Sequence, residues 1–412
     1  MTAPLAHPSY RSFFADLAPL HVDPEALHAL GRPGGPCDLG EDCAQDTDSA
    51  VAAVWPFFGQ FLAHDITADR SPLVDRADPA RLLNARTPRA DLEALYGAGP
   101  VGEPYLYRSD DPAKLLLSAS GVDVPRNHEG IALVGDPRND ANLFTSQMAV
   151  AFIRLHNRFV DRLRAEGAAD VFAAARRELT WHYQHVILRE FLPGLIGAPL
   201  TAELLEDGPR LHRADDEPYV PLEFADAAYR YGHAQIRHRY QVNATFGPVP
   251  LFPDLMGFGT VAPEHAIDWA LPLEQRAKRM DVRLPTSLIT LPTQISGARP
   301  GTDYASLANR DLQRGQAVGL PSGEAIARRL GVEPLPAEQI GLGWTTETPL
   351  WFYILKEAEV LHGGDQLGPV GGRIVGEVLV GIIDADPGSF RAIEPEWTPA
   401  RPFALADLLL GQ

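Results

Sequence analysis

The chain has 412 residues, 45% apolar and 22% charged, which is ordinary for a globular protein and enough to bury a large core. Its formal net charge of −18, with no Lys/Arg-rich block to offset it, argues against broad binding to nucleic acid or anionic membranes. No apolar run reaches the ~18 residues of a membrane span, and the opening MTAPLAHPSYRSFFADLAPL lacks the basic start and apolar stretch of a secretory signal. The expectation is a cytoplasmic or otherwise unexported protein with no integral membrane association.

Residues 1–50 are rich in Pro, Gly, Asp and Ala with little periodicity, and predict an irregular arm packed on a main domain of residues 51–412. Cys37 and Cys43 lie five residues apart in a Gly/Asp loop; they could close a small ring, but two thiols without nearby His make no metal site. WPFFGQFLAHDITAD follows, and its apolar run with Pro in the first turn predicts a helix from Pro56 to about Ile66 carrying His64-Asp65 at its polar end. Residues 67–130 are loop-rich and include RTPRADLEALYG (Arg86 to Gly97).

GDPRNDAN (Gly135 to Asn142) is a turn of capping residues that leads into LFTSQMAVAFIRLHNRFVDRL, a long helix apolar on most faces and so expected to be buried, with Gly167 as its stop. VFAAARRELTWHYQHVILREFLP reads as a helix ending at Pro193-Gly194, and AAYRYGHAQIRHRY (227–240) as a shorter one. Residues 241–300 read as loop with small helices. Helical patterns return in SLANRDLQRGQAVGLPSGEAIARRLG, TPLWFYILKEAEVLHGG and PVGGRIVGEVLVGIIDA. Strand-like alternation is nearly absent and no solenoid repeat is visible. The predicted fold is mainly α: one large helical domain with long loops that hold function and little β structure.

Three segments put strong polar groups into otherwise buried surroundings: His64-Asp65, Arg138 in GDPRND, and His233 in YRYGH. Each alone has a bland explanation, as a satisfied core histidine, a helix-end ion pair or a cap. Together, FFGQFLAHDIT, RTPRADLEALYG, GDPRNDANLFTSQMAVAFIRLHNRF, ILREFLPGLIG and YRYGHAQI follow the order and approximate spacing of the animal-type haem peroxidases, the peroxidase–cyclooxygenase superfamily. LQRGQAVGLPSG and TPLWFYILKEAEV resemble later landmarks of its bacterial members. The resemblance covers roughly residues 10–400.

The resemblance implies a haem peroxidase that uses hydrogen peroxide to oxidise a small organic donor or a halide through a ferryl haem. His64 matches the distal base, which moves a proton between the peroxide oxygens. Gln60, one turn earlier on the same face, matches the glutamine that binds distal water or halide. Arg138 matches the distal arginine, a cation for the departing oxygen. His233 matches the proximal iron ligand and Arg230 a propionate partner. The family's asparagine beside the proximal His, and the arginine three residues later, fall at Asp311 and Arg314; a register slipped by two would make Asn309 the partner instead. A carboxylate there would make the imidazole more electron-donating. Asp65, Thr87, the Arg89 carbonyl, Asp91 and Glu93 match the family's calcium loop, with Glu93 where mammalian members have Ser.

Departures matter as much. The two carboxylates that esterify haem in mammalian members fall at Ala63 and Ala141, and the Met of a third link falls at Asn142, so haem b is expected to be held non-covalently and to be a weaker oxidant, which weakens the case for chloride. The radical-forming Tyr of the fatty-acid dioxygenase branch falls at Arg230, although Tyr229 and Tyr231 flank it. Two other readings compete: a haem-binding sensor or binding module of low turnover on the same scaffold, and a two-metal phosphohydrolase recruiting His156, His182 and His185 beside His64-Asp65.

Overall fold

The structure, a computed structural model, describes residues 10–40, 47–69, 82–213, 218–299 and 302–411. Helices dominate it. The described strands form three two-stranded pairs: Asp38–Gly40 runs parallel to Leu284–Pro285, while Asp48–Ala52 and Arg239–Tyr240 run antiparallel to Arg276–Lys278 and Val249–Pro250. Among the described residues no helix is long and apolar enough to cross a membrane.

The helix Trp55–Ile66 is held from two sides by aromatic rings. Phe57 and Phe61, one turn apart, stack on Phe144 and Phe152 of the helix Leu143–Ala165, with ring centroids 4.0 and 4.8 Å apart. Phe58 points the other way and meets Tyr183 and Phe191 edge-on at 5.8 and 5.4 Å. Asn142 starts the Leu143–Ala165 helix by accepting the Thr145 N–H, as the capping turn predicts. The expectation of a helix buried throughout holds only for its first half: Arg154, Arg158, Asp161 and Arg162 are exposed, and the second half is amphipathic.

The run after Asp170 goes further than expected. It is α-helical over Val171–Val186, widens to a π turn at Ile187–Phe191, and continues through Pro193 to Ile196. Pro193 does not stop the helix because it occupies the opening turn of this last segment, where no intrahelical N–H is needed. The 227–240 stretch is a 3-10 helix, Ala228–Gln235, after which Ile236 turns extended and Arg239 enters a strand.

The N-terminal arm is not wholly irregular. Asp23 caps the helix Pro24–Gly31, which packs against Leu307–Ala317. The approach is close: a Cβ on Gly31 would lie 2.4 Å from Asn309 Oδ1. Cys37 is fully buried; Cys43 lies outside the described residues, and with it the proposed ring. The helices Leu350–His362 and Pro369–Asp384 complete the core. Glu357 of the first is buried and accepts the Val370 and Gly371 N–H groups at the start of the second, at 2.9 and 3.3 Å.

Candidate functional site

A cavity of about 380 Å³ opens between the polar end of the Trp55–Ile66 helix and the Ala228–Gln235 segment. His64, Gln60, Ala63, Arg138 and Ala141 line it from the first side, and Arg230, Tyr231 and His233 from the second; Arg310 and Arg314 complete the wall. The two elements approach closely at Gly59, where a Cβ would sit 3.5 Å from the Tyr231 hydroxyl and 3.7 Å from that of Tyr229.

His64 is buried and its Nδ1 lies 2.8 Å from Asn139 Oδ1. An Asn oxygen accepts, so Nδ1 carries the proton and Nε2 keeps its lone pair. Burial, and then the Arg138 cation, push the imidazole down to about 3, so it is neutral at ordinary pH. Arg138 is fixed by several contacts. Its Nε and Nη2 both donate to Asp136 at 2.9 Å, and Nη2 also donates to the carbonyls of His64 (3.1 Å) and Thr67 (2.8 Å). Asp136 is fully buried and is shared with Arg86, whose Nε and Nη2 donate to it at 3.0 and 2.7 Å. Burial would raise this carboxyl, but Arg138 and Arg86 hold it well below the usual carboxylate range. Gln60 Oε1 accepts from Asn142 Nδ2 at 3.2 Å.

Across the cavity, His233 Nδ1 lies 2.6 Å from Asp311 Oδ2. Asp311, and not Asn309, is therefore the partner: Asn309 turns to His28 Nδ1 at 3.3 Å. Asp311 is fully buried and its other oxygen accepts from Arg230 Nη1 at 3.2 Å. Arg314 Nε donates to Asp226 at 2.7 Å and its Nη2 lies 3.4 Å from Asp69. With Nδ1 committed to a carboxylate, the His233 Nε2 is the nitrogen left for a metal.

The calcium set behaves differently. Asp65 is fully buried, and its oxygens accept the Leu92 and Ala94 N–H groups at 2.9 and 3.0 Å. Burial, and then Asp91, raise its carboxyl, while burial lifts that of Asp91 to about 6. Glu93 instead pairs with Arg86 Nη1 (3.0 Å) and accepts from the Thr87 hydroxyl (2.7 Å). Arg89 lies 3.8 Å from Asp386. Among the described residues no group of three His, Cys, Asp or Glu side chains is placed to hold a metal ion. As arranged, these residues do not fit a calcium ion.

Neither is a two-metal centre assembled. His156 is bonded to Tyr96 Oη and the Ala113 carbonyl, and His182 to the Glu178 carbonyl, while His185 packs on Trp397. Several polar residues at or beside the cavity escaped sequence reasoning, among them Arg310 and Asp69 on its wall. Asp136 and Asn139 were within reach, as neighbours of Arg138 in GDPRND. Asp226, and Tyr10, whose hydroxyl is 2.6 Å from Thr67 Oγ1, carry no local signal.

The family model for the animal haem peroxidase domain matches residues 74–336. The chain belongs to the animal haem peroxidase family. It is similar to the peroxidase mlt-7 of Caenorhabditis elegans, 25% identical over 65% of this chain and 38% of the relative, and to the dual oxidase of Drosophila melanogaster, 30% identical over 26% of this chain and 7% of the relative. The chain thus spans well under half the length of these curated relatives. Among solved structures, peroxidase A from Dictyostelium discoideum superposes with a TM-score of 0.70 at 17% identity, covering 98% of this chain and 91% of that one. The Oryza sativa fatty acid alpha-dioxygenase follows at 0.66 and 16% identity, covering 89% of this chain and 72% of that one. At these identities the likeness is one of fold.

Membership implies haem binding, and the cavity fits that group: its volume lies in the usual ligand range of about 300–1,000 Å³, and it sets an imidazole with a carboxylate behind it opposite a second, neutral imidazole. The cavity-lining Tyr229 has a buried hydroxyl with no hydrogen-bond partner among the described residues.

Proposed function

We propose that this chain is a haem-dependent peroxidase that reduces hydrogen peroxide at the expense of a small organic donor or a halide. The observation that carries the reading is the opposition of His64, with Arg138 beside it, to His233 backed by Asp311 across one cavity. Haem, when bound, supplies an iron that peroxide can oxidise by two electrons. His233 would ligate that iron through Nε2, with Arg230, Arg310 and Arg314 available to its propionates.

The protein groups do the rest. Neutral His64 takes the proton of incoming peroxide on Nε2 and returns it to the outer oxygen, which leaves as water. Asn139 holds the imidazole in the tautomer that makes this possible. Arg138 cannot swing away, because Asp136 and two carbonyls grip it, so its charge is already in place as the outer oxygen gains negative charge. Gln60 presents an amide to the same space and orients water or a halide.

The absorption spectrum of purified protein before and after stoichiometric peroxide tests the reading. A Soret band that shifts on mixing, and that is lost in His233→Ala, is the expected result. A band that peroxide leaves unchanged would instead favour a haem-binding protein of low turnover. The presence of His64, Arg138 and Gln60 on one wall favours catalysis.

Ala63 and Ala141 both line the cavity, and neither can form an ester. Haem would then be held by coordination, ion pairs and packing rather than by esters at these two positions, and acid extraction should release it unmodified. A calcium ion at Asp65 and Asp91 would require Glu93 to turn from Arg86 and Thr87. A Tm lowered by chelator and restored by calcium would place one there; an unchanged Tm leaves the Arg86–Glu93 pair as the brace of this loop.

A further inference from the structure

A second, larger cavity of about 620 Å³ adjoins the first, and Tyr231 lines both. Nothing in the chemistry above uses it. Its inner wall is aromatic: Trp55, at the start of the helix that carries His64, stacks on Phe191 with ring centroids 5.6 Å apart and planes inclined by 26°. Leu195 adds an aliphatic surface, and Glu190 from the same run as Phe191 adds a carboxylate. Glu190 Oε2 already accepts the Leu405 N–H at 2.8 Å, which leaves Oε1 to take a proton; His362 also lines this wall, and Asp365 and Arg276 are both engaged. Asp365 accepts from the Ser49 hydroxyl and the Ala50 N–H at 2.7 and 2.8 Å, and Arg276 donates to the Ala50 carbonyl at 2.6 Å. The walls therefore favour a flat, neutral molecule.

We propose that this cavity binds a monocyclic phenol as electron donor, and that Tyr231 carries the electrons from it to the His64–His233 cavity. The inference rests on the peroxidase reading for its oxidant. Two phenols each lose one electron and one proton, two ArOH and one H₂O₂ giving two ArO• and two H₂O. The O–H bonds of the phenols break, the O–O bond of peroxide breaks, and the protons end in the two waters. Glu190 is the base on the cavity wall that receives each phenolic proton first. Tyr231 is almost wholly buried and forms part of both walls, so no donor need enter the peroxide cavity to reduce what peroxide has oxidised.

A side chain can be added at the mouth of this cavity without a clash at its Cβ. Gly194 lines the second cavity, lies in a helical segment without a positive φ, and has nothing within 4 Å of the position its Cβ would take. Holoprotein is titrated with 4-methylphenol by calorimetry, with Soret absorbance as the control for a folded haem site. Gly194→Phe should weaken binding at least tenfold and Trp55→Leu several-fold. Tyr231→Phe should keep 4-methylphenol binding while its oxidation slows at least tenfold. Phenol binding untouched by both cavity variants overturns the site, and so does saturable binding of palmitate with none of 4-methylphenol. Unimpaired phenol oxidation in Tyr231→Phe overturns the relay. If 4-methylphenol binds and Gly194→Phe blocks it while peroxide leaves the Soret band unchanged, the binding site stands and the peroxidase reading fails.

Discussion

His64 shows how one residue can be tuned by its neighbours at no cost in charge. Its imidazole is held down to about 3 by burial and by Arg138, so the folded protein keeps it neutral throughout the range in which an ordinary histidine titrates. The rate of reaction with peroxide should accordingly be flat between about pH 4.5 and 8, where an unshifted base would lose activity below 6.5. Stopped-flow rates across that range check this, and His64→Ala should lower them by about 10²–10⁴-fold. The linked cost falls on stability. Below about 6.5 the unfolded chain takes up a proton that native His64 does not, so this group destabilises the fold progressively as pH falls toward its native value. Across the cavity, Asp311 lies 2.6 Å from His233 Nδ1, and on the proposed reading, with His233 on the iron, this carboxylate would make the imidazole more electron-donating. Asp311→Asn should raise the ferric/ferrous potential in a spectroelectrochemical titration, and disturbing this partner should lower activity or metal affinity by about 10–100-fold.

At the scale of elements, Asn142 ties two helices to the cavity. Its oxygen caps Leu143–Ala165 and its amide nitrogen donates to Gln60 on Trp55–Ile66. Asn142→Ala should cost about 1 kcal/mol in denaturant unfolding through the lost cap and should also free Gln60, read as weaker halide binding in the Soret spectrum. Phe144→Ala, which empties the stack on Phe57, should cost more, about 3–5 kcal/mol. Helices of this kind were legible in the sequence, because caps and apolar periodicity are local signals: Asn142, Pro56 and the long apolar runs announce themselves. The polar partners were legible only through motif order, since nothing local tells Asp311 from Asn309; the decision comes from the packing of Leu307–Ala317 against two different elements. The continuation through Pro193 escaped sequence reasoning because a π turn shifts the hydrogen-bond register, which residue types do not record. The helix Pro24–Gly31 was missed despite the Asp23-Pro24 start signal, its eight residues being too short to show a period.

For the whole molecule, buried charge sets the response to pH. Glu357 joins the two longest core helices near the C-terminus, and burial raises its carboxyl to about 7 although two backbone N–H groups oppose the shift. A raised carboxyl binds its proton more tightly in the fold than in the unfolded chain. Its contribution is therefore fully present below about 4.5 and is lost as pH rises through 7. Glu357→Gln keeps an acceptor for the same N–H groups and cannot ionise, so it should be more stable than wild type at pH 8, by on the order of 2 kcal/mol, and little different at pH 4. Thermal unfolding at the two pH values decides it.

Asp136 has a consequence of another kind. Two arginines draw on this one buried carboxylate, Arg138 from the cavity and Arg86 from the loop that also holds Glu93. They are competitors for a fixed supply of negative charge. Glu93 satisfies Arg86 from outside and leaves Asp136 more fully to Arg138. Removing it, as in Glu93→Ala, would turn Arg86 into a rival claimant and loosen the grip on the cavity arginine from a position that does not line the cavity. Sensitivity to peroxide would then be set in part at the rim of the protein, by a residue that never meets it.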